Sequence, residues 1–405
     1  MPVLRDYRHF SGRHYETGAV HNILAYQGQA APHTGAPLSE ALLLGVSGGI
    51  AFGYFTFEYK GYDPQVALLT RNTFDPLETL LNRLGIARDV LQTASAETAY
   101  ENLVNVLEGG HPALVWLDKM SLPYTLVPYD ERNWMTGPVV VYGVEGDTAY
   151  VADRSAQPLT VTREALDRAR GRVKKDRFRI LVLDTPQMDK LSTAVHEGIW
   201  QCIRLYTEAP PRGRKESFGL AGLAYWAEML TNTRNKQSWA RYFPPGRRML
   251  AALAGGPAQP GAWDWIKTWG TADGAERGVY ADFLDEAAGL LGEPRLEDVA
   301  VRFREAAAVW NGLAQAMLPD TVSLLGEIRA LKARKHHLFI EQGDAALDEI
   351  REVNAQLELL RATASEAFPL DEAEAAAFRE ALAERVRQIL TIERDAVAAL
   401  QAAMH

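Results

Sequence analysis

The chain has 405 residues, a net charge of −9, 47% hydrophobic residues and 23% charged residues. That length exceeds one ordinary hydrophobic core and predicts two or three domains, and the balance is that of a globular chain rather than a disordered one. The acidity argues against a general nucleic-acid or anionic-membrane binder, because phosphate contacts need clustered Lys and Arg. The basic clusters at 168–179 and 212–215 read as a solvated face and a linker.

Cys202 is the one cysteine. A single thiol makes no intramolecular disulfide and no multi-cysteine zinc site, so nothing calls for an oxidising compartment. Residues 1–12 carry charges and no apolar core, unlike a secretory signal. The nearest approach to a membrane span is 41–57, broken by glycines and Ser47. A cytoplasmic protein with no cofactor and no membrane or nucleic-acid partner is expected.

In chain order, 16–26 places Val20, Ile23 and Leu24 on one helical face and stops at Gly28. A short helix over 39–44 follows, with Ser39 as its N-cap. The glycine- and aromatic-rich stretch 45–59 suits a strand or hairpin, and 66–69 a short strand. Helices are predicted over 75–84, with Pro76 in the first turn, and over 96–107, ended by Gly109 and Gly110. Residues 113–117 read as a buried strand. The clearest local signal is 139–152, where two β-branched runs flank Glu145-Gly146-Asp147, good hairpin chemistry. A capped helix over 162–170 and a strand over 178–183 complete a first domain, 1–185. Mixed order without regular β-α alternation predicts α+β.

From 186 to 320 the pattern is Ala-, Leu- and Trp-rich and helical, interrupted at 208–215 and 257–261. Trp226, Trp263, Trp265, Trp269 and Trp310 are expected to fill that core. The glycine-rich stretch 273–278 lacks the Lys-Ser/Thr of a phosphate loop. Over 321–405, two long helices broken at Phe368-Pro369-Leu370 predict a hairpin, with Asp371 capping the second helix. Its stripe of Phe378, Leu382, Val386, Ile389 and Leu400 must be buried against the rest of the chain, a second copy or another partner, and a homodimer through this hairpin is predicted.

Five segments fall in a telling order: His14-Tyr15-Glu16-Thr17, Ser39-Glu40-Ala41, the stretch 45–52 with Gly48-Gly49, the hairpin, and Asp153-Arg154 at its end. Together they resemble the N-terminal domain of the butirosin biosynthesis protein H family. Phe218-Gly219-Leu220-Ala221-Gly222 and the stretch 280–287 resemble the helical domain of unknown function that usually follows it, so the resemblance spans roughly 12–318.

The resemblance implies a papain-like, cysteine-peptidase-like fold and an acyl-transfer role, the namesake moving an acyl group from a carrier protein to an amine. It implies a Cys at the start of the first helix, a His before the hairpin and an Asp after it. The helix N-terminus and the His would lower the thiol pKa, and the Asp would orient the His. Here Tyr15 and Pro138 stand at the Cys and His positions, and Asp153 is in place. A phenol, with a reference pKa of about 10, is a poor acyl-enzyme nucleophile beside a thiolate. Cys202, among Ile199, Trp200 and Ile203, reads as a core residue.

The remaining candidates each carry two readings. His14 is a residual acid–base group or packs at the helix entrance. Tyr15 donates to a ligand carbonyl or plugs the former channel. Glu16 accompanies them as a ligand-binding candidate. Gly48 and Gly49 bring amides to a ligand or make a tight turn. Asp118 lines the cleft or closes a turn, and Asp153 with Arg154 orients a partner or closes the hairpin. His336, His337 and Glu341 read as a solvated face rather than a metal site, since adjacent helical histidines diverge. Two functions follow. The first is a non-catalytic family member that binds a small metabolite, peptide or acyl-carrier partner. The second is an acyltransferase in which the acceptor amine attacks a thioester directly, without an acyl-enzyme.

Overall fold

A computed structural model describes residues 2–131, 133–269 and 274–405. The elements run α1 (Thr17–Tyr26), α2 (Glu40–Val46), β1 (Ile50–Phe57), β2 (Gln65–Arg71), α3 (Pro76–Arg83), β3 (Arg88–Leu91), α4 (Ala96–Glu108), β4 (Ala113–Asp118), β5 (Thr136–Glu145), β6 (Thr148–Ala152), β7 (Leu159–Thr162), α5 (Arg163–Arg172) and β8 (Ile180–Leu183). The helical part follows as α6 (Leu191–Thr207), α7 (Gly219–Thr231), α8 (Trp239–Tyr242), α9 (Arg247–Ala254), α10 (Ala262–Lys267), α11 (Arg277–Leu291), α12 (Arg295–Met317), α13 (Ser323–Gln342), α14 (Leu347–Glu366) and α15 (Glu372–Ala403). This is the expected α+β chain with an all-helical C-terminal part, and no strand follows β8 among the described residues.

By packing, the chain divides into two compact units that are not consecutive stretches: 1–43, 81–191 and 334–353 in the first, 44–80, 192–333 and 354–405 in the second.

The first unit is built on a six-stranded sheet of order β3-β8-β4-β5-β6-β7, antiparallel throughout. Its centre is the β-branched run Val139, Val140 and Val141, fully buried and paired across to Val115, Leu114 and Ala113. The β5–β6 hairpin turns at Gly146, whose φ of +62° suits the glycine there. Helix α1 packs on β5, α4 on β4 and β5, and α5 on β4, β6 and β7. Thr162 caps α5 through the Ala165 amide. β3 and β7, four residues each, escaped the sequence reading. Both lie at the ends of the sheet, where one side of the ladder has no strand partner to demand a strong apolar pattern.

In the second unit β1 and β2 form an antiparallel pair, with α7 packed on β1 and α10 on β2. Phe52, Trp226 and Trp310 form one cluster, their ring centroids 5.7, 5.8 and 6.1 Å apart, all fully buried. Helix α15 packs along α7 and α12, with Leu382, Val386, Ile389 and Leu400 buried. Asp371 caps it as expected, accepting from the Ala373 and Glu374 amides while Glu374 returns a bond to the Asp371 amide. Four of the five residues of the predicted stripe are therefore covered within their own unit, and Phe378 is half-buried. Residues 322–367 form two helices rather than the single one predicted. The break falls at Gly343, φ +56°. Asp273, at the start of the glycine-rich stretch, lies outside the described residues.

Candidate functional site

The first amides of a helix have no acceptor inside it, and its N-terminus carries partial positive charge. At α1 the carboxylate of Glu40, from the start of α2, supplies negative charge beside that N-terminus and holds the stretch of chain leading into the helix. Its carboxylate accepts from the amides of Arg13 (2.7 Å) and His14 (2.8 Å) and from the Thr17 hydroxyl (3.0 Å). His14 is buried, and its Nδ1 accepts from the Glu16 amide (3.2 Å). Its ring leans on that of Tyr15, centroids 4.2 Å apart. The Ser-Glu-Ala segment and the His-Tyr segment are thus two halves of one helix entrance, with Ser39 capping α2 through the Leu42 amide.

Tyr15, half-buried at this entrance, lies against Gly137 of β5. A Cβ on Gly137 would fall 3.2 Å from the Tyr15 ring and 3.1 Å from Cδ of Lys119, so the bare Cα makes room for both side chains. The Lys119 ammonium sits 5.7 Å from the centroid of the Tyr15 ring. On its other side it donates to Asp153 Oδ1 at 2.7 Å, both side chains being at most 4% exposed. The Tyr124 hydroxyl donates to the second Asp153 oxygen at 3.1 Å. Lys119 thus brings Tyr15 and Asp153 to one place. Burial pushes the Lys119 pKa down, and the attraction of Asp153 offsets that only in part. Burial also disfavours the Asp153 carboxylate. Lys119 and Arg154, with the bonds from Lys119 and Tyr124, overcome this and hold it below the usual carboxylate range.

The other sequence candidates are placed as follows. Pro138 follows Gly137 in β5 and pairs with Trp116 of β4. Arg154 lays its guanidinium 5.6 Å from the Phe339 ring, and that ring stacks on Tyr124 at 6.0 Å. Asp118 is fully buried. It accepts from the Met120 and Met135 amides, from the Ser121 hydroxyl and from Arg172 (2.6 Å), and so anchors the base of the loop that follows β4. Gly48 and Gly49 belong to the second unit. Gly48, φ +105°, lies where a Cβ would meet the Asn72 amide nitrogen at 2.6 Å, and Gly49 lies against Tyr280 and Cys202. Both glycines hold a positive φ, +105° and +70°, the backbone that glycine permits in a turn.

Cys202, also in the second unit, is fully buried and donates to the Ile50 carbonyl at 3.3 Å. Burial pushes its thiol up to about 12. Iodoacetamide at pH 8 should therefore leave the folded chain unlabelled and label it to one equivalent in denaturant. Rapid labelling of the folded chain, followed by mass spectrometry, would contradict that placement.

The sequence reading missed Lys119, Tyr124 and Phe339. Lys119 and Tyr124 lie near Asp118 in the chain, and no sequence signal marks either one. Phe339 reaches the first unit from 185 residues beyond Arg154, as part of the segment whose Ile340 carbonyl accepts the Ala156 amide at 2.7 Å. Chemically the entrance offers a phenol, a buried ammonium and a carboxylate already bonded on both oxygens. Position 15 carries no thiol and position 138 no imidazole.

Residues 14–154 match the family described as butirosin biosynthesis protein H, N-terminal, and residues 258–338 match a domain of unknown function, DUF4872. The order of the two is the architecture expected from the motifs: an N-terminal domain of the first kind followed by a helical domain of the second. None of the curated proteins compared with the chain matches it.

Proposed function

We infer, from an N-terminal domain like that of butirosin biosynthesis protein H in which Tyr15 and Pro138 stand where cysteine and histidine are expected, that the chain is a non-catalytic relative of acyl-transfer proteins. It binds a small metabolite, a peptide or an acyl-carrier partner at the α1 entrance. One observation carries the reading. The residue at the thiol position is a ring seated on Gly137 and Lys119, while the chain's cysteine is buried in the other compact unit. A thiolate nucleophile is thus missing from the place where a helix N-terminus would activate it.

The test uses the full chain with an acyl thioester of N-acetylcysteamine and a primary amine. No acyl-protein by mass and no amide above the uncatalysed rate are expected. Amide formation at a rate saturating in both substrates, without an acyl-protein, would replace this reading with direct aminolysis. Binding is read separately with an acyl-carrier protein by isothermal calorimetry, against Tyr15→Ala as the site variant. Self-association now rests on the sequence reading alone, and light scattering from the full chain decides it.

A further inference from the structure

We propose that Tyr129 and Trp134, on the loop between β4 and β5, form one docking surface with the segment 172–179. Its occupant is a peptide segment of another protein that carries carboxylates beside a large apolar side chain. All of these residues belong to the first unit. The surface is separate from the α1 entrance and independent of the reading given for it. Trp116, which lies beneath Arg179, pairs across the sheet with Pro138, while the neighbouring Gly137 faces Tyr15 on the opposite side.

The aromatic half is exposed and fastened. Tyr129 is 63% exposed and Trp134 55%. Arg172, at the end of α5, donates to Asp118 (2.6 Å) and Ser121 (2.9 Å) at the base of the loop and to the carbonyls of Asp130 and Asn133 further out. Its guanidinium also lies 4.7 Å from the centroid of the Tyr129 ring. Trp134 stands between Asn133 and Met135, whose amide bonds Asp118 at 2.9 Å. One exposed apolar side chain needs no explanation, but two on a single clamped loop do. Groups already held in place lose little further freedom when a partner covers them, and Trp, Tyr and Arg dominate binding energy at protein interfaces.

The charge comes from 172–179, which is tied to β4 at both ends: Arg172 bonds Asp118, and Arg179 lies 4.6 Å from the Trp116 ring. Two residues apart on one strand, Asp118 and Trp116 share a face at a spacing of about 7 Å, so the segment projects beside the loop. Arg172 and Arg179 have carboxylate partners in Asp118 and Asp176. Lys174 and Lys175, both exposed, and Arg177 have none among the described residues, although the chain as a whole is acidic. These cations select an acidic occupant. A bilayer or a nucleic-acid backbone, uniformly negative, would be pressed against Asp130, Glu131 and Asp176 in the same patch. A peptide sets its carboxylates opposite the lysines and its apolar side chain on the rings.

The test uses the full chain and three pools of short fluorescein-labelled synthetic peptides, read by fluorescence anisotropy. One pool mixes Asp and Glu with Leu and Phe, the second mixes Lys and Arg with Leu and Phe, and the third mixes Asp and Glu with Gly and Ser. The first should bind at least about tenfold more tightly than either of the others, and should weaken as salt is raised to ~300 mM. Trp134→Ala and the pair Lys174→Glu/Lys175→Glu should each weaken it at least about fivefold. Melting midpoints should stay at the parent value, because the replaced side chains are exposed. No binding of the first pool, equal binding of all three, or binding that survives both variants would overturn the proposal. Phosphatidylserine vesicles and single-stranded DNA run alongside, and tighter binding of either, lost in the same variants, would overturn it in favour of that partner.

Discussion

Replacing Glu393 by glutamine should destabilise the second unit by about 3–5 kcal/mol, the range found when one partner of a buried ion pair is removed. Arg277 and Glu393 are both fully buried and meet at 2.6 Å. The guanidinium also donates to the carbonyls of Thr70, Ala275 and Ala51 and to the Tyr206 hydroxyl, and lies 5.1 Å from the Trp310 ring. Trp310 Nε1 donates to the same Glu393 oxygen at 2.7 Å. Burial alone would lower the Arg277 pKa, yet Glu393 and Tyr206 raise it above the ordinary arginine value; a guanidinium keeps its proton in a protein, so the variant leaves a buried cation without its counter-charge. Arg304 supplies the contrast. It bonds Asp282 and Asp285 at equally short distances but in solvent, where such pairs contribute about 0–1 kcal/mol. Urea unfolding of Glu393→Gln and Arg304→Ala, compared at constant m, separates the two cases. A loss below about 1 kcal/mol for Glu393→Gln would show that water or relaxation compensates Arg277.

What the sequence showed was whatever is written in consecutive residues. The β5–β6 hairpin was legible because β-branched runs flank one turn tripeptide, and the turn closes at Gly146. The caps at Ser39, Thr162 and Asp371 were legible because a capping side chain acts within three residues. The entrance of α1 was legible as motifs, though the reason that His14 and Glu40 travel together is a contact 26 residues long. Lys119 was not legible at all. A lysine following an aspartate at a strand end reads as solvent-exposed, and only the fold reveals that Asp153, 34 residues on, buries it. The break at Gly343 hid for a related reason: the residues on either side of it keep helical composition, and one residue at positive φ suffices to end a helix.

Deleting everything after Pro319 should abolish cooperative unfolding of the second unit rather than merely release a subunit contact. A homodimer contact made only through the α15 stripe would leave a truncated chain folded. The structure instead lays α15 along α7 and α12. Leu382, Val386, Ile389 and Leu400 are at most 1% exposed. At about 1.5–3 kcal/mol for each fully buried aliphatic side chain, these four contribute roughly 6–12 kcal/mol, comparable with the whole stability of an ordinary domain. The truncation also removes Glu393, leaving Arg277 without its counter-charge and Trp310 Nε1 without its acceptor. The apolar faces of α7 and α12 would then meet water, a state that aggregates or binds hydrophobic dyes rather than one that refolds. Thermal melting and dye binding of the truncated chain, with light scattering on both lengths, make the comparison. A truncated chain that melts cooperatively near the midpoint of the full chain would show that α15 is an appendage, and would return the apolar stripe to the role of an intermolecular surface.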